Sequence, residues 1–297
     1  MALVCATLLA LPLAPGGAVE PQPYGRQTLI VTAQGRPAAY GLVNGRGPYL
    51  FLIDTGSSQT IFSEALVKTL GLSATAKGPV TATTASGAVS SLVYAAGDIT
   101  TAGITIGGME VLTASLPKGA GADGLLGSDF LSNLTVDLDM PGKSLALYPA
   151  GSVVKPRGFV TVAARADSHQ FLVMPGRCRN SRCDVYLDTA GLISVGNEPL
   201  SRLLPPPTQP NLAIDFLKLN GLDALGIKAY PKQLTGLSLG RLRWSYRDIV
   251  IAGLPVFDKL DTPSRPALFL GLDLAGKRRI ILDYKNATVT FQPAAAP

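Results

Sequence analysis

Two acidic turns stand out by residue type and spacing, Asp54-Thr55-Gly56-Ser57 and Asp188-Thr189-Ala190-Gly191, each entered from an apolar run, Phe51-Leu52-Ile53 and Val185-Tyr186-Leu187. One carboxylate alone can accept a proton. Two that face each other do more, because like charges a few Å apart resist joint ionisation and hold a single proton between them. One member is then a base toward water and the other an acid toward the oxygen that gains charge, with no metal or covalent intermediate required. A lone Asp-Thr-Gly is weak evidence, so the weight rests on the doubled surroundings.

Those surroundings repeat at a nearly constant offset. A shift of 134 residues carries Asp54 to Asp188 and Ser63-Glu64-Ala65-Leu66 to Asn197-Glu198-Pro199-Leu200. Both stretches read as short helices, with Ser63 or Asn197 as N-cap and an acidic residue at the positive end of the dipole. Gly71 and Pro205 end them. The same shift sets Ser86-Gly87 on Asn220-Gly221, each between apolar or β-branched runs, the signature of a hairpin tip. Further on, Leu126-Gly127-Ser128-Asp129 meets Leu270-Gly271-Leu272-Asp273, and Leu138-Asp139 meets Leu282-Asp283, at an offset of 144. One supersecondary unit is used twice, with loops about ten residues longer in the second copy. Asp129, Asp137, Asp139, Asp273 and Asp283 read as turn and hairpin residues that recur with the unit.

The elements that must hold these turns are strands. The 297 residues are 47% hydrophobic with 32 Gly and 23 Pro, and short apolar runs alternate with turn signals while helical periodicity is scarce. An all-β chain with a joint at Tyr148-Pro149-Ala150-Gly151-Ser152 is expected, giving units 19–150 and 151–297. Before them, the apolar run 3–14 is too short to span a bilayer, and small residues follow at Gly16 and Ala18. Residues 1–18 therefore read as a signal peptide, with export to the periplasm or medium and no stable membrane span after cleavage. Cys5 would leave with that segment. Cys178 and Cys183 bracket a hairpin tip and form either a disulfide in an oxidising compartment or two thiols in a reducing one; export favours the bridge. A single His169 and the lack of a second Cys pair speak against zinc. The net charge of +6 includes Arg157, Arg165, Arg177, Arg179 and Arg182, ahead of the second acidic turn. They suit either an acidic polymer or anionic surface, or an evenly solvated basic exterior. No nucleic-acid-binding module is recognisable.

The order of strand, acidic turn, short helix, hairpin and Leu-Leu-Gly or Phe-Leu-Gly resembles the aspartic peptidases of the pepsin and retropepsin kind. The run Gly121-Ala122-Asp123-Gly124-Leu125-Leu126-Gly127-Ser128-Asp129-Phe130-Leu131, followed by Val136-Asp137-Leu138-Asp139, is similar to their bacterial retropepsin-like branch. The resemblance implies a bilobal pepsin-like fold made of two duplicated retropepsin-like β-barrel lobes with short helices. It also implies a monomeric endopeptidase acting on an extended polypeptide through Asp54 and Asp188, without cofactor or metal. Thr55 and Thr189 would hydrogen-bond across the lobes, and Gly56 would present its N–H to Asp54. Ser57 adds a hydroxyl near Asp54 that Gly191 cannot match, so the shared proton is expected on Asp188. Hairpin tips at Ala85, Ser86 and Gly87, and at Asn220 and Gly221, would close over substrate as flaps. Ala190 stands where the family carries Gly. Two other readings follow: an inactive relative that binds peptide, or a homodimer of first-half lobes that uses Asp54 alone.

Overall fold

The apolar runs that enter the acidic turns are buried on both faces, which is why they read as continuous hydrophobic stretches and not as alternating ones. In the computed structural model, which describes residues 21–84, 87–114, 116, 119–209, 211, 227–276 and 278–293, the strand Arg46–Ile53 leads into Asp54 and the strand Ser181–Leu187 into Asp188. Each lies parallel to a short strand from the end of its own unit. Ile53 is in register with Leu126, and Leu187 with Leu270. Parallel neighbours require a crossover, and here the intervening residues of each unit supply it.

Two large sheets follow from this arrangement. An eight-stranded sheet is built from strands between residues 30 and 126, and a nine-stranded one from strands between 165 and 270. The chain is all-β with short helices, in two barrel-like lobes, as the sequence leads one to expect. Helix Glu64–Leu70 begins where the Ser63 hydroxyl accepts the Leu66 N–H and ends at Gly71, whose φ of 67° a residue without Cβ adopts at little cost. Helix Glu198–Ser201 begins likewise, with the Asn197 side chain accepting from the Leu200 N–H.

A third sheet belongs to both lobes. Its six antiparallel strands run Gly25–Thr28, Ser144–Pro149, Leu134–Asp139, Arg279–Asp283, Thr288–Phe291 and Val160–Ala163, three from each half. At the seam Leu134–Asp139 pairs with Arg279–Asp283, and Asp137 sits opposite Ile281, its own counterpart at the offset of 144. Asp137 is not a turn residue. It lies within a strand, 1% exposed, and accepts from Arg279 Nε at 2.7 Å and Nη2 at 2.5 Å. The mirrored positions, Thr135 and Ile281, carry no charge. The seam is symmetric in backbone and asymmetric in chemistry.

The lobes also meet above this sheet. Helix Pro255–Lys259 of the second half lies against the hairpin strands Ala74–Thr84 and Gly87–Thr101 of the first. Hairpin residues Ala85 and Ser86, and Asn220 and Gly221 in the second half, lie outside the described residues, as does the segment 1–18. Gly87 opens its strand opposite Thr84.

Candidate active site

Each acidic turn is held from behind by the end of its own unit, through the same contacts in both halves. Asp54 N donates to Leu126 O and Asp188 N to Leu270 O, both at 3.0 Å; Ser128 N donates to Ser57 O and Leu272 N to Gly191 O, both at 2.8 Å. Glycine is required in those supporting loops. A Cβ on Gly127 would stand 2.4 Å from Gln59 O, and one on Gly271 2.8 Å from the Ile193 carbonyl carbon. A further tie is made by side chains the sequence reading left as turn residues. Thr60 Oγ1 donates to Asp129 at 2.7 Å, and its counterpart Ser194 Oγ to Asp273 at 2.6 Å.

The two turns are then bound to each other. Thr55 N donates to Thr189 Oγ1 and Thr189 N to Thr55 Oγ1, both at 3.1 Å. The hydroxyls pass their own protons across the lobes, Thr55 Oγ1 to Leu187 O at 2.7 Å and Thr189 Oγ1 to Ile53 O at 2.6 Å. Every polar atom of this reciprocal grip is satisfied in a buried place, where an unmade bond would be costly. It brings Asp54 and Asp188, each 8% exposed, near enough that the charge of Asp188 acts on Asp54.

The two carboxyls differ in their donors. Gly56 N donates to Asp54 Oδ1 at 2.8 Å, whereas Asp188 Oδ1 accepts from both Ala190 N at 3.1 Å and Gly191 N at 2.7 Å. Burial and the neighbouring Asp188 charge push Asp54 up to about 8, against the Gly56 N–H and the Arg36 charge. Burial raises Asp188 as well, but the N–H groups of Gly191 and Ala190 and the Arg36 guanidinium oppose it. Two N–H donors to one carboxylate favour its ionised form. By its donors Asp188 is the carboxyl better held in its ionised form. This reverses the expectation drawn from Ser57, whose hydroxyl turns away and donates to Gln59 O at 2.7 Å.

Glycine is needed at position 191 and not at 190. A Cβ at Gly191 would lie 2.3 Å from Asp188 Oδ2, so only glycine leaves room for the carboxylate. Ala190 is not in a positive-φ conformation and its N–H serves Asp188, so the methyl group introduces no backbone strain.

Arg36 is the residue that sequence reading missed. It comes from the first-half loop after Thr32, is fully buried, and donates from Nε to Ala190 O at 2.7 Å, with Nη1 on Gln34 Oε1. Its Nη2 has no partner among the described residues. Nothing in the local sequence marks it, because the partner that ties it to the site, Ala190, lies 154 residues away.

Cavities flank the turns on both sides. One of about 390 Å³ lies beside Ser58 and Gln59, walled by Lys77 and Glu110 of the first half and by Ser168 and His169 of the second. Another, of about 680 Å³, adjoins Leu192 and is mostly apolar, with Val31, Met140 and Leu272. His169 thus lines a space between the lobes.

A solved structure of an aspartic proteinase from Irpex lacteus superimposes with a TM-score of 0.53 at 16% identity, covering 91% of this chain and 97% of that one. The chain has the fold of the aspartic peptidases. An aspartyl protease family model matches residues 39–130, the part of this aspartic-peptidase fold that contains the Asp54 turn and the Leu125-Leu126-Gly127 loop. No curated protein matches the chain.

Proposed function

We propose that the chain is an exported, monomeric aspartic endopeptidase that cleaves extended polypeptides between lobes divided near residue 150. The observation that carries this reading is the pair of buried carboxyls, Asp54 and Asp188, on equivalent turns locked together by Thr55 and Thr189. Asp188, ionised by its two N–H donors, takes a proton from a water held between the carboxyls. That water attacks the peptide carbonyl while Asp54 gives its proton to the developing oxyanion, and as the C–N bond breaks the proton that Asp188 took from the water passes to the leaving nitrogen. Arg36 limits how far burial raises both groups. The cavities beside Gln59 and Leu192 would take side chains on either side of the scissile bond, one polar and one apolar.

Several features favour this over the other readings. Ala190 leaves the donors to Asp188 intact, which weighs against an inactive relative. The second acidic turn comes from the same chain, which weighs against a homodimer of first halves. The disulfide Cys178–Cys183, and the lack among the described residues of a helix long and apolar enough to cross a membrane, are compatible with export.

Cleavage of an unstructured protein such as carboxymethylated casein, blocked by pepstatin, tests the reading. Asp54→Asn and Asp188→Asn should each lower the rate by about a thousandfold or more. Retained cleavage by Asp188→Asn would point to the homodimer, and peptide binding without cleavage by the wild type to the binding protein.

A further inference from the structure

The outer face of the disulfide hairpin carries an arrangement that stability alone does not explain. In the strands Leu172–Cys178 and Ser181–Leu187, Arg177 is in direct register with Arg182, and both are exposed. Like charges placed directly opposite on one sheet face destabilise the pairing. Behind them, on the buried face, Cys178 and Cys183 are joined diagonally across the hairpin with Cα atoms 5.8 Å apart. The crosslink holds together two strands that the arginines push apart.

Two more arginines converge there. Arg165, from the neighbouring strand, and Arg265, ahead of the strand Ala267–Leu270, line with Arg177 and Arg182 a cavity of about 660 Å³. Asp184 is the one carboxylate in its wall, and it is already engaged by Thr262 Oγ1 at 2.7 Å and Arg165 at 3.4 Å. Arg177 spends one nitrogen on Asn180 O at 2.7 Å. The guanidinium groups of Arg182 and Arg265 have no hydrogen bond or ion pair among the described residues. Arg165 is also paired with Asp261 at 3.4 Å, so of four arginines around a concavity of small-ligand size one is held by carboxylates and the guanidinium groups of Arg182 and Arg265 remain uncommitted among the described residues. Planar guanidinium forks match the paired oxygens of phosphate groups and hold them more specifically than lysines would.

We infer that this cavity is a binding site for a compact phosphate-bearing anion, separate from the Asp54–Asp188 site and independent of whether that site cleaves peptides. A free polyphosphate and an anionic lipid headgroup present the same chemistry. The site lies on an outer sheet face, where either could reach it.

The intact, disulfide-bonded chain, titrated calorimetrically with tripolyphosphate and separately by cosedimentation with phosphatidylcholine vesicles with and without phosphatidylglycerol, tests the assignment at physiological ionic strength. The wild type should bind at least one of the two anionic probes, and the responding arm identifies the source. Arg177→Ala with Arg182→Ala should weaken that binding by about tenfold or more, since two of four forks are lost. Arg157→Ala with Arg241→Ala removes the same net charge from exposed residues outside the cavity and should leave binding nearly unchanged. The single variant Arg182→Ala should melt no lower than wild type without ligand, because repulsion is relieved, and so reports on folding. Binding of neither probe by the wild type, or an equal loss in both double variants, would overturn the site.

Discussion

Arg36 Nε and the Ala190 carbonyl, 2.7 Å apart, join the first-half loop to the turn that carries Asp188. The guanidinium is fully buried and its charge acts on both carboxyls, Asp188 more than Asp54. The other groups acting on the pair are Asp273, which raises Asp188, and the Tyr284 phenol near Asp54. A nearby cation favours ionised carboxylates, so its removal moves both ionisations of the pair upward. Arg36→Met should shift both limbs of the pH profile of kcat/KM upward by about one pH unit. Arg36→Lys, which keeps the charge without the planar fork, should leave the limbs in place while kcat falls. Limbs that stay put in Arg36→Met would remove the charge from the account.

Asp54 binds its proton more tightly in the folded chain than in the unfolded one, since burial and Asp188 push it up to about 8. Its protonation therefore contributes stability that is complete below the ordinary carboxylate range and is lost as pH rises toward that value. The loss reaches at most about 1.4 kcal/mol per pH unit. Melting temperature should accordingly decline from mildly acid to mildly alkaline pH, and Asp54→Asn should make that decline shallower. Parallel curves for the two proteins, by calorimetry across the range, would contradict the placement of the proton.

Ser57 is fully buried and spends its hydroxyl on Gln59 O. Ser57→Ala should leave both limbs of the pH profile where they are and cost about 1 kcal/mol of stability by urea denaturation, the usual worth of one such bond. Movement of the lower limb would mean that the hydroxyl reaches Asp54 after all.

Gly191 and Ala190 offer a paired test. Gly191→Ala forces a methyl group into Asp188 Oδ2, and a carboxylate displaced by about 1 Å should lower kcat/KM by about a hundredfold. Ala190→Gly restores the usual family residue and relieves no strain, so activity should change by about twofold or less, with stability lower by under about 1 kcal/mol. Comparable losses in both variants would show that the crowding at position 191 is not decisive.

The sequence carried those parts of this molecule that repeat. Offsets of 134 and 144 brought out both acidic turns, the caps Ser63 and Asn197, and the glycines 127 and 271, because one unit imposes the same local geometry twice. The grip of Thr55 on Thr189 followed from resemblance. What could not be read were departures from the repeat. Arg36 has its partner Ala190 in the other half, Arg279 reaches Asp137 across a sheet seam, and Arg265 joins Arg177 only through strand pairing. The orientation of the Ser57 hydroxyl was equally hidden, since a side chain with several acceptors in reach takes the one that tertiary packing presents.

Asp137 stands on the axis that relates the halves, and Arg279 answers it from one side only. Were two first halves to dock as the first and second now do, each would bring an Asp137 to that axis and neither would bring a counterpart of Arg279, whose place is taken by Thr135. Two buried carboxyls would then meet without Arg279 and would have to share a proton, a cost that the unlike pair avoids. The repeated unit thus closes upon its own copy through unlike parts, a carboxylate from one half and a guanidinium from the other.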